Sequence, residues 1–308
     1  MSRSDDRQSP LHVAGSALRC PVCSAALEVA GDDRSLICVA SHRFDIARQG
    51  YVSLLDGRST PHRSDTAAMV AARRRVHESG LFDPVVRAVA DASGTPTDRA
   101  GTSDRPPLVL DAGAGTGRYL AGALAGSDAW WGIGLDLSKY CARAVARVHP
   151  RAAAVVADIW RPLPIRTASV GVVLSVFSPR NIDEFARVLH SGGVLVVVTP
   201  NADHLAEIVG PMDMLGIAED KDQRLRTALG DRFEITAEHE VRHRADLDAT
   251  AIGDLVAMGP SAFHRTADEI RSAAEAVTHG SGRSAVSVSV SVSVTVCRPT
   301  PPGPLTAE

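Results

Sequence analysis

The feature that most constrains the fold is a series of apolar segments that alternate with segments of helical pattern. Five apolar segments follow one another, at residues 108–112, 130–135, 153–157, 170–177 and 194–199. Helical patterns lie between them, near residues 117–125, 138–148, 181–190 and 203–228. Strands that are apolar on both faces and joined by helices are typical of a parallel sheet covered by helices on both sides. The sequence therefore predicts a doubly wound α/β domain.

The end of the chain predicts two longer strands, at residues 233–244 and 286–296, with a helical insertion near 250–277. In the second strand Val and Ser alternate strictly, which puts Val on one face and Ser on the other, as in a half-buried strand. Five parallel strands followed by an antiparallel pair are the order of class I methyltransferases. We therefore expect a Rossmann-like, mainly parallel seven-stranded sheet with an antiparallel last strand.

Charge and composition exclude several classes of protein. The chain has 308 residues, a net charge of −3 and 44% hydrophobic residues, as in an ordinary globular protein without a global basic field. No window approaches the roughly 20 apolar residues that span a bilayer. The first ten residues are polar and lack the apolar region of a secretory signal. We expect a cytoplasmic protein without a membrane partner.

A glycine-rich loop directly follows the first predicted strand and opens a helix. Glycines allow a tight turn and close approach of a ligand, toward which the N–H groups of the helix point. A dinucleotide site would need glycine where Arg118 stands. The D-x-G-x-G-x-G form is instead typical of S-adenosylmethionine enzymes. The candidate cofactor ligands in this loop are Asp111, Gly113, Ala114, Gly115, Thr116 and Gly117.

Two acids follow the loop at the ends of the next two strands. Asp136, followed by Leu137, stands about 20 residues after the loop, where a carboxylate can accept hydrogen bonds from ribose hydroxyls. Asp158, followed by Ile159, ends the third strand, from which a carboxylate can accept a bond from the adenine amino group. One such acid could be only a helix cap, but the loop and both acids in order predict an S-adenosylmethionine site.

A cysteine and histidine cluster lies near the N-terminus. Cys20, Cys23, Cys38 and His42 have the spacing C-x2-C-x14-C-x3-H, which can place three thiolates and an imidazole around one tetrahedral Zn²⁺. Four protein ligands leave no open position, so the predicted site is structural. The alternative is a set of buried free cysteines. Cys141 and Cys297 lie in the predicted catalytic domain and are expected to be core thiols.

An arginine-rich segment follows the cluster, and residues 66–78 within it are predicted to be helical. Its arginines have only Asp65 as an opposing charge between residues 58 and 75, and such a patch suits phosphates of nucleic acid. A solvated helix face is the alternative. Residues 92–107, rich in Pro, Gly, Ser, Thr and Asp, are expected to form a flexible linker. The candidate RNA-binding residues are Arg58, Arg63, Arg73, Arg74 and Arg75.

Together these motifs resemble bacterial 23S ribosomal RNA guanine-N1 methyltransferases, over roughly residues 18–300. The motifs that carry the resemblance are the zinc cluster, residues 42–52, Asp65-x3-Met69-x3-Arg73, the glycine loop, residues 176–181, Thr199-Pro200, His204-Leu205 and residues 258–264. Residues 258–264 and Val296-Cys297-Arg298-Pro299 are similar to the tylosin-resistance branch. The linker and the Val/Ser strand depart from the family pattern but touch no motif.

The resemblance implies methylation of a guanine in a domain II hairpin of 23S rRNA, resistance to some macrolides, S-adenosylmethionine and Zn²⁺ as cofactors, and 23S rRNA as partner. Family members are often dimers, so a homodimer is an open expectation. The expected organisation is a disordered leader (1–17), a zinc-ribbon-like domain (18–60), an Arg-rich helix with linker (61–107) and a methyltransferase domain (108–300).

The chemistry suggests candidate catalytic residues. Guanine N1 carries a proton that must leave during methyl transfer, and the base must leave its stack to enter a pocket. Phe177, Ser178 and Pro179 follow the fourth strand, where related enzymes hold the target base, although Phe177 could equally be core packing. The candidate proton acceptors are Asp65, His204 and His264, each of which could instead be a cap or a structural group.

Two other functions stay open from the sequence. A small-molecule methyltransferase would explain the loop and both acids but not the zinc cluster or the arginine-rich segment. A zinc-dependent RNA-binding protein with a vestigial cofactor site is contradicted by the intact loop and acids.

Overall fold

The computed structural model describes residues 9–95, 106–216, 221–280 and 284–300. Two sheets form, a three-stranded antiparallel sheet in the order β1-β2-β3 and an eight-stranded sheet in the order β10-β11-β9-β8-β5-β6-β7-β4. The strands are β1 (Leu27–Val29), β2 (Ser35–Cys38), β3 (Arg43–Asp45), β4 (Tyr51–Ser53), β5 (Leu108–Ala112), β6 (Trp131–Asp136), β7 (Ala152–Val156), β8 (Val170–Val176), β9 (Leu189–Pro200), β10 (Phe233–Leu247) and β11 (Val286–Pro299).

The large sheet has the predicted order and directions. The five strands β5 to β9 are parallel, and β11 pairs antiparallel with both β9 and β10. All residues of β5, β7 and β8 are buried, because helices cover both faces of the sheet. The doubly wound, mainly parallel fold predicted from the alternating segments is therefore confirmed.

An eighth strand, β4, was not predicted. It follows the cysteine and histidine cluster in sequence and pairs parallel with β7, with Val52 opposite Val155. Val52 is fully buried at this edge of the sheet. The small N-terminal sheet and the large sheet thus share one hydrophobic core, which includes Leu18, Leu36 and Ile133.

The helices differ from the prediction in three places. They are α1 (Pro10–Gly15), α2 (Ala67–Glu78), α3 (Asp83–Ser93), α4 (Arg118–Ala125), α5 (Lys139–Val148), α6 (Ile182–Val188), α7 (Ala206–Val209), α8 (Lys221–Leu229), α9 (Ala249–Ala257) and α10 (Ala267–Gly280). The expected leader contains α1, because Leu11, Val13 and Ala14 are buried against the core. The start of the expected linker belongs to α3, and its residues 96–105 lie outside the described residues. The helix expected near 203–228 is two separate helices, α7 and α8.

The serine face of β11 is not exposed to solvent as expected from the alternation. Val288, Val290, Val292 and Val294 are fully buried on one face, but Ser291 on the other face is also buried. The serines bind the segment that follows β9: the hydroxyl of Ser293 donates to the Asn201 side chain over 2.7 Å, and the Ser291 hydroxyl accepts a bond from it. The serine face of β11 therefore holds the segment after β9, which leads to the cavity described below.

No helix in the described ranges has the length and hydropathy needed to cross a membrane.

Candidate active site and metal centre

A cavity of about 480 Å³ opens at the carboxyl ends of the parallel strands β5 to β8. Eight of the predicted cofactor ligands line it: Gly113, Ala114, Gly115, Thr116, Asp136, Leu137, Asp158 and Ile159. Five predicted catalytic residues line it as well: Asp65, Phe177, Ser178, Pro179 and His204. The carboxyl ends of parallel strands are the usual ligand site of open α/β sheets, so the fold brings these separate motifs together.

The glycine loop is packed tightly beneath the cavity. Gly113 has a φ of +84°, and a Cβ at this position would stand 2.6 Å from the Cβ of Ser178. The hydroxyl of Ser178 donates a 2.7 Å hydrogen bond to the carbonyl of Ala112. Ser178, predicted as a catalytic candidate, thus connects the loop after β8 to the end of β5. Gly117 lies in a left-handed conformation behind the cavity, against Val145 and Val148.

Asp136 holds the loop in place. One of its oxygens accepts the N–H of Gly115 over 2.9 Å, and the other accepts the N–H of Ser138 over 2.8 Å. Burial raises the pKa of Asp136, and the two backbone bonds partly oppose this shift. Each carboxylate oxygen can accept more than one bond, so Asp136 retains acceptor capacity toward ribose hydroxyls.

The structure contains unsatisfied polar atoms in or near the cavity. Oδ2 of Asp158, Oγ1 of Thr116 and Oδ2 of Asp111 are buried and make no hydrogen bond among the described residues. Oδ2 of Asp158 has only an ion pair with Arg161 Nε at 3.5 Å. Buried polar atoms without partners are costly and need an explanation. Asp158 and Thr116 line the cavity, and their unsatisfied atoms fit a ligand with hydroxyl and amino groups such as S-adenosylmethionine.

Asp111 lies deeper than expected. It is 1% exposed and does not line the cavity. Burial raises its pKa to about 7, with a further contribution from the charge of Asp136, while a bond from the backbone of Leu120 opposes the shift. The loop separates Asp111 from the cavity, so the structure does not place it as a direct ligand.

An aromatic compartment adjoins the glycine loop. Phe177 has a positive φ of 51°, and the residue is 42% exposed. The rings of Phe82 and Tyr119 meet Phe177 edge-on at 5.9 and 6.2 Å, and His204 lies 6.0 Å from it. Core packing alone would not leave a phenylalanine ring half exposed in a cavity. The compartment can hold a planar ring by stacking.

Several residues of this compartment were not predicted from the sequence. Phe82 lies just before α3, which was not predicted, and Tyr119 is a helix residue after the loop. His77 contacts both rings, at 6.0 and 5.5 Å. Burial and the nearby Arg73 and Arg118 lower the pKa of His77 to about 4, so its ring is neutral. No local pattern marks these residues, because they come together only in the folded chain.

The three predicted proton acceptors differ in position. His264 is exposed after the 3₁₀ helix Pro260–Phe263 and is not among the residues that line the cavity. The carboxylate of Asp65 pairs with Arg73. Nδ1 of His204 accepts the N–H of Ser291 over 3.2 Å, so the neutral ring carries its proton on Nε2 and is a donor there.

The five arginines predicted to bind RNA lie in different surroundings. Arg73 is inside the cavity, paired with Asp65. Arg74 pairs with Glu78 on the same helix, and Arg75 makes a bidentate pair with Asp254 of α9. The acids Glu78 and Asp254 lie outside residues 58–75, the range in which Asp65 is the opposing charge in the sequence. Of the five, Arg58 and Arg63 lie before α2, with Arg58 83% exposed beside Asp56 and Arg63 over the ring of Phe263.

The predicted metal ligands converge. Ligand atoms of Cys20, Cys23, Cys38 and His42 all lie within 4.8 Å of one another. The Sγ atoms of Cys23 and Cys38 are 3.7 Å apart, and Nδ1 of His42 is 3.6 and 3.4 Å from Sγ of Cys20 and Cys38. A tetrahedron with Zn–S bonds of about 2.3 Å has edges of about 3.8 Å. The four residues therefore fit a structural Zn²⁺, and none of them lines the cavity.

Comparisons with known proteins agree with both parts of the site. A zinc-ribbon family model described as RlmA, N-terminal, matches residues 18–58, and a model described as Methyltransferase domain matches residues 110–197. The expected cofactors are accordingly S-adenosylmethionine and Zn²⁺.

Three curated relatives match over most of their length. A protein of Streptomyces fradiae named 23S rRNA (guanine(748)-N(1))-methyltransferase is 43% identical over 92% of this chain and 97% of its own. A protein of Micromonospora griseorubida, provisionally named as a 23S rRNA (guanine-N(1)-)-methyltransferase, is 46% identical over 80% of this chain and 87% of its own. One of Bacillus subtilis with the same provisional name is 33% identical over 83% and 90%. The chain therefore belongs to the family of 23S rRNA (guanine-N1) methyltransferases.

Proposed function

We propose that this protein methylates N1 of a guanine in 23S rRNA with S-adenosylmethionine as methyl donor. The observation that carries the proposal is the match over 97% of the Streptomyces fradiae protein, whose name states this reaction at guanine 748. We further propose that the target is the corresponding guanine in a domain II hairpin, and that the modification confers tylosin-type macrolide resistance. The motifs shared with the tylosin-resistance branch support this finer assignment.

The lining residues divide the cofactor site by chemistry. Asp158 Oδ2 would accept a hydrogen bond from the adenine amino group, and the carboxylate of Asp136 would accept hydrogen bonds from the ribose hydroxyls. The backbone of Gly113, Ala114 and Gly115 would pass beneath the amino-acid end. When bound, S-adenosylmethionine supplies a methyl group activated by its sulfonium. The chain's contribution is to position the two reactants and to exclude alternatives.

The aromatic compartment would receive the guanine after it leaves its stack. Phe177 offers an exposed ring next to the glycine loop, and Phe82 and Tyr119 support that ring from the side. A base between aromatic surfaces is read by stacking and by bonds to its Watson–Crick edge. His204, with its Nε2 proton, is a donor suited to a carbonyl oxygen such as guanine O6, on which negative charge develops as the N1 proton leaves.

Neither remaining candidate is arranged as a proton acceptor. Asp65 is held by Arg73, and His204 is a donor at Nε2. We propose that water takes the N1 proton through the open side of the cavity. Docking of folded RNA would then rest on Arg58, Arg63 and the zinc module. A cytoplasmic location follows from the proposed substrate, and a homodimer stays a prediction that light scattering can test.

Primer extension tests the reaction. A methyl group on N1 blocks pairing, so reverse transcriptase should stop one nucleotide before the modified guanine of treated 23S rRNA, and only when S-adenosylmethionine is present. Asp158→Ala should weaken the stop, whereas Asp246→Ala, an exposed acid of β10, should not. Methylation of a small metabolite with clean primer extension would overturn the proposal in favour of a small-molecule enzyme. An unchanged tylosin tolerance of a susceptible strain that carries the modified guanine would overturn only the resistance assignment.

A further inference from the structure

Arg73 was predicted to contact RNA, but its side chain is directed into the cavity. The guanidinium pairs with Asp65, and Nη2 donates a 2.8 Å bond to the carbonyl of Met258. A Cβ built on Gly115 would stand 3.2 Å from Nη1 of Arg73. The guanidinium therefore lies directly over the glycine loop, with only 22% of the side chain exposed.

The order of the other groups indicates which part of the cofactor faces Arg73. Asp158 follows β7 and Asp136 ends β6, so the adenine and ribose would lie over these two strands. The amino-acid end then lies over the loop after β5, where Arg73 meets Gly115. The carboxylate at that end is the anionic group of S-adenosylmethionine, and a guanidinium fork matches a carboxylate in shape and charge.

The surroundings of Arg73 preserve its charge for this task. Burial lowers its pKa, but Asp65, Cys141 and Asp136 outweigh that effect and hold the pKa above its usual range. The bonds to Asp65 and Met258 use two of the five N–H groups of the guanidinium. Asp65 and Asp136 would repel an incoming carboxylate in the absence of Arg73.

We propose that Arg73 binds the carboxylate of the methionine part of S-adenosylmethionine and that Asp65 positions its guanidinium. This inference rests on the proposed function, since it needs that cofactor. The competing role is purely structural, in which Arg73 only connects α2 to the segment after α9 through Met258.

Calorimetry with two ligands separates these roles. S-adenosylhomocysteine carries the carboxylate, and 5′-methylthioadenosine lacks the amino-acid end but keeps the adenine and ribose. We expect Arg73→Met to weaken S-adenosylhomocysteine binding by about 10- to 100-fold, the effect of losing a hydrogen-bonded charge partner. Binding of 5′-methylthioadenosine should change less than about threefold. Arg74→Met, one residue along α2 and paired with Glu78 on its own helix, is the matched control and should alter neither affinity.

Arg73→Lys distinguishes a lost contact from a folding defect. It keeps the positive charge and removes the planar guanidinium that can form two parallel bonds to a carboxylate. We expect it to fold and to show an intermediate loss for S-adenosylhomocysteine only. Equal losses for both ligands in either variant would overturn the proposal in favour of the structural role. Loss of RNA affinity with unchanged S-adenosylhomocysteine affinity would overturn it in favour of phosphate binding. If the wild-type protein bound neither ligand, the proposed function itself would fail. If it bound both ligands but primer extension showed no stop, only the RNA substrate would be contradicted.

Discussion

Gly113 occupies the most restricted position of the candidate site. Its φ of +84° is unfavourable for other residues, and a Cβ would stand 2.6 Å from that of Ser178. We expect Gly113→Ala to lower the free energy of unfolding by about 1–3 kcal/mol, through backbone strain and displacement of Ser178. Urea denaturation measures this change. Gly31→Ala is the control, since a Cβ at that position would have nothing within 4 Å, and an equal loss in both variants would contradict the argument.

The raised pKa of Asp111 predicts that the stability of the protein depends on pH. Its pKa is raised to about 7 in the folded chain, above the ordinary value of 3.8. A raised pKa means that the folded state binds the proton more tightly, so this stabilisation is complete below about pH 4 and is lost as the pH rises through about 7. We expect Asp111→Asn to gain stability relative to wild type across this window and to reach a plateau above it. Urea denaturation of both proteins between pH 4 and 8 measures this difference in stability. A difference that does not change with pH would contradict the assignment.

His77 has the opposite effect on the wild-type curve. Its pKa is lowered to about 4, so the neutral ring is stable and stability falls as the pH drops from about 6.5 toward 4. The two groups oppose each other in this range, so their contributions partly cancel in the wild-type profile. The difference between wild type and Asp111→Asn removes the contribution of His77, which both proteins share.

At the scale of the elements, the three-residue strand β4 attaches the N-terminal segment to the edge of the large sheet. Val52 in its centre is fully buried against the edge of the sheet, whereas Ser53 beside it is exposed. We expect Val52→Asp to destabilise the protein by about 3–5 kcal/mol, the cost of an uncompensated buried charge. Ser53→Asp should change stability by less than about 0.5 kcal/mol. Thermal unfolding of both variants checks the pairing, and similar midpoints would show that β4 does not bind to the sheet.

The sequence predicts the apolar strands of the large sheet and misses the edge strand β4 for a physical reason. Strands β5 to β9 are buried on both faces and therefore have an apolar signal within their own residues. In contrast, β4 has three residues and exists because β7, about 100 residues later, pairs with it. Arg73 is a similar case: its helix has a polar surface, and only the folded chain shows that this part of it faces the cavity. The serines of β11 have a polar pattern but are satisfied by a loop that sequence periodicity does not reveal.

At the scale of the whole molecule, the site is assembled from segments far apart in sequence. The glycine loop, both acids and the metal ligands each have a compact motif, so the sequence predicts them residue by residue. The part of the aromatic compartment formed by Phe82, Tyr119 and His77 has no such motif, since these residues come from three different segments. They could be found only after α2, α3 and α4 had been placed. Local motifs thus predict the cofactor site, whereas tertiary packing completes the aromatic compartment around Phe177.

The metal centre gives the last prediction. The four ligands fit one Zn²⁺ per chain, and elemental analysis of purified protein should find about one equivalent. Cys38→Ser should lose it, whereas Cys297→Ala, in the core of the large sheet, should retain it. Metal binding is coupled to folding in such modules, so chelation should lower the stability of the zinc-binding segment.

This loss should extend to the entire chain. The residues around Cys20 share a hydrophobic core with β5 to β7, and β4 extends the same sheet. Calorimetry after chelation should therefore show a single unfolding transition at a lower temperature. Two separate transitions would show that the N-terminal module folds independently. Below the transition, S-adenosylhomocysteine affinity should change little, because the four ligands lie outside the cavity.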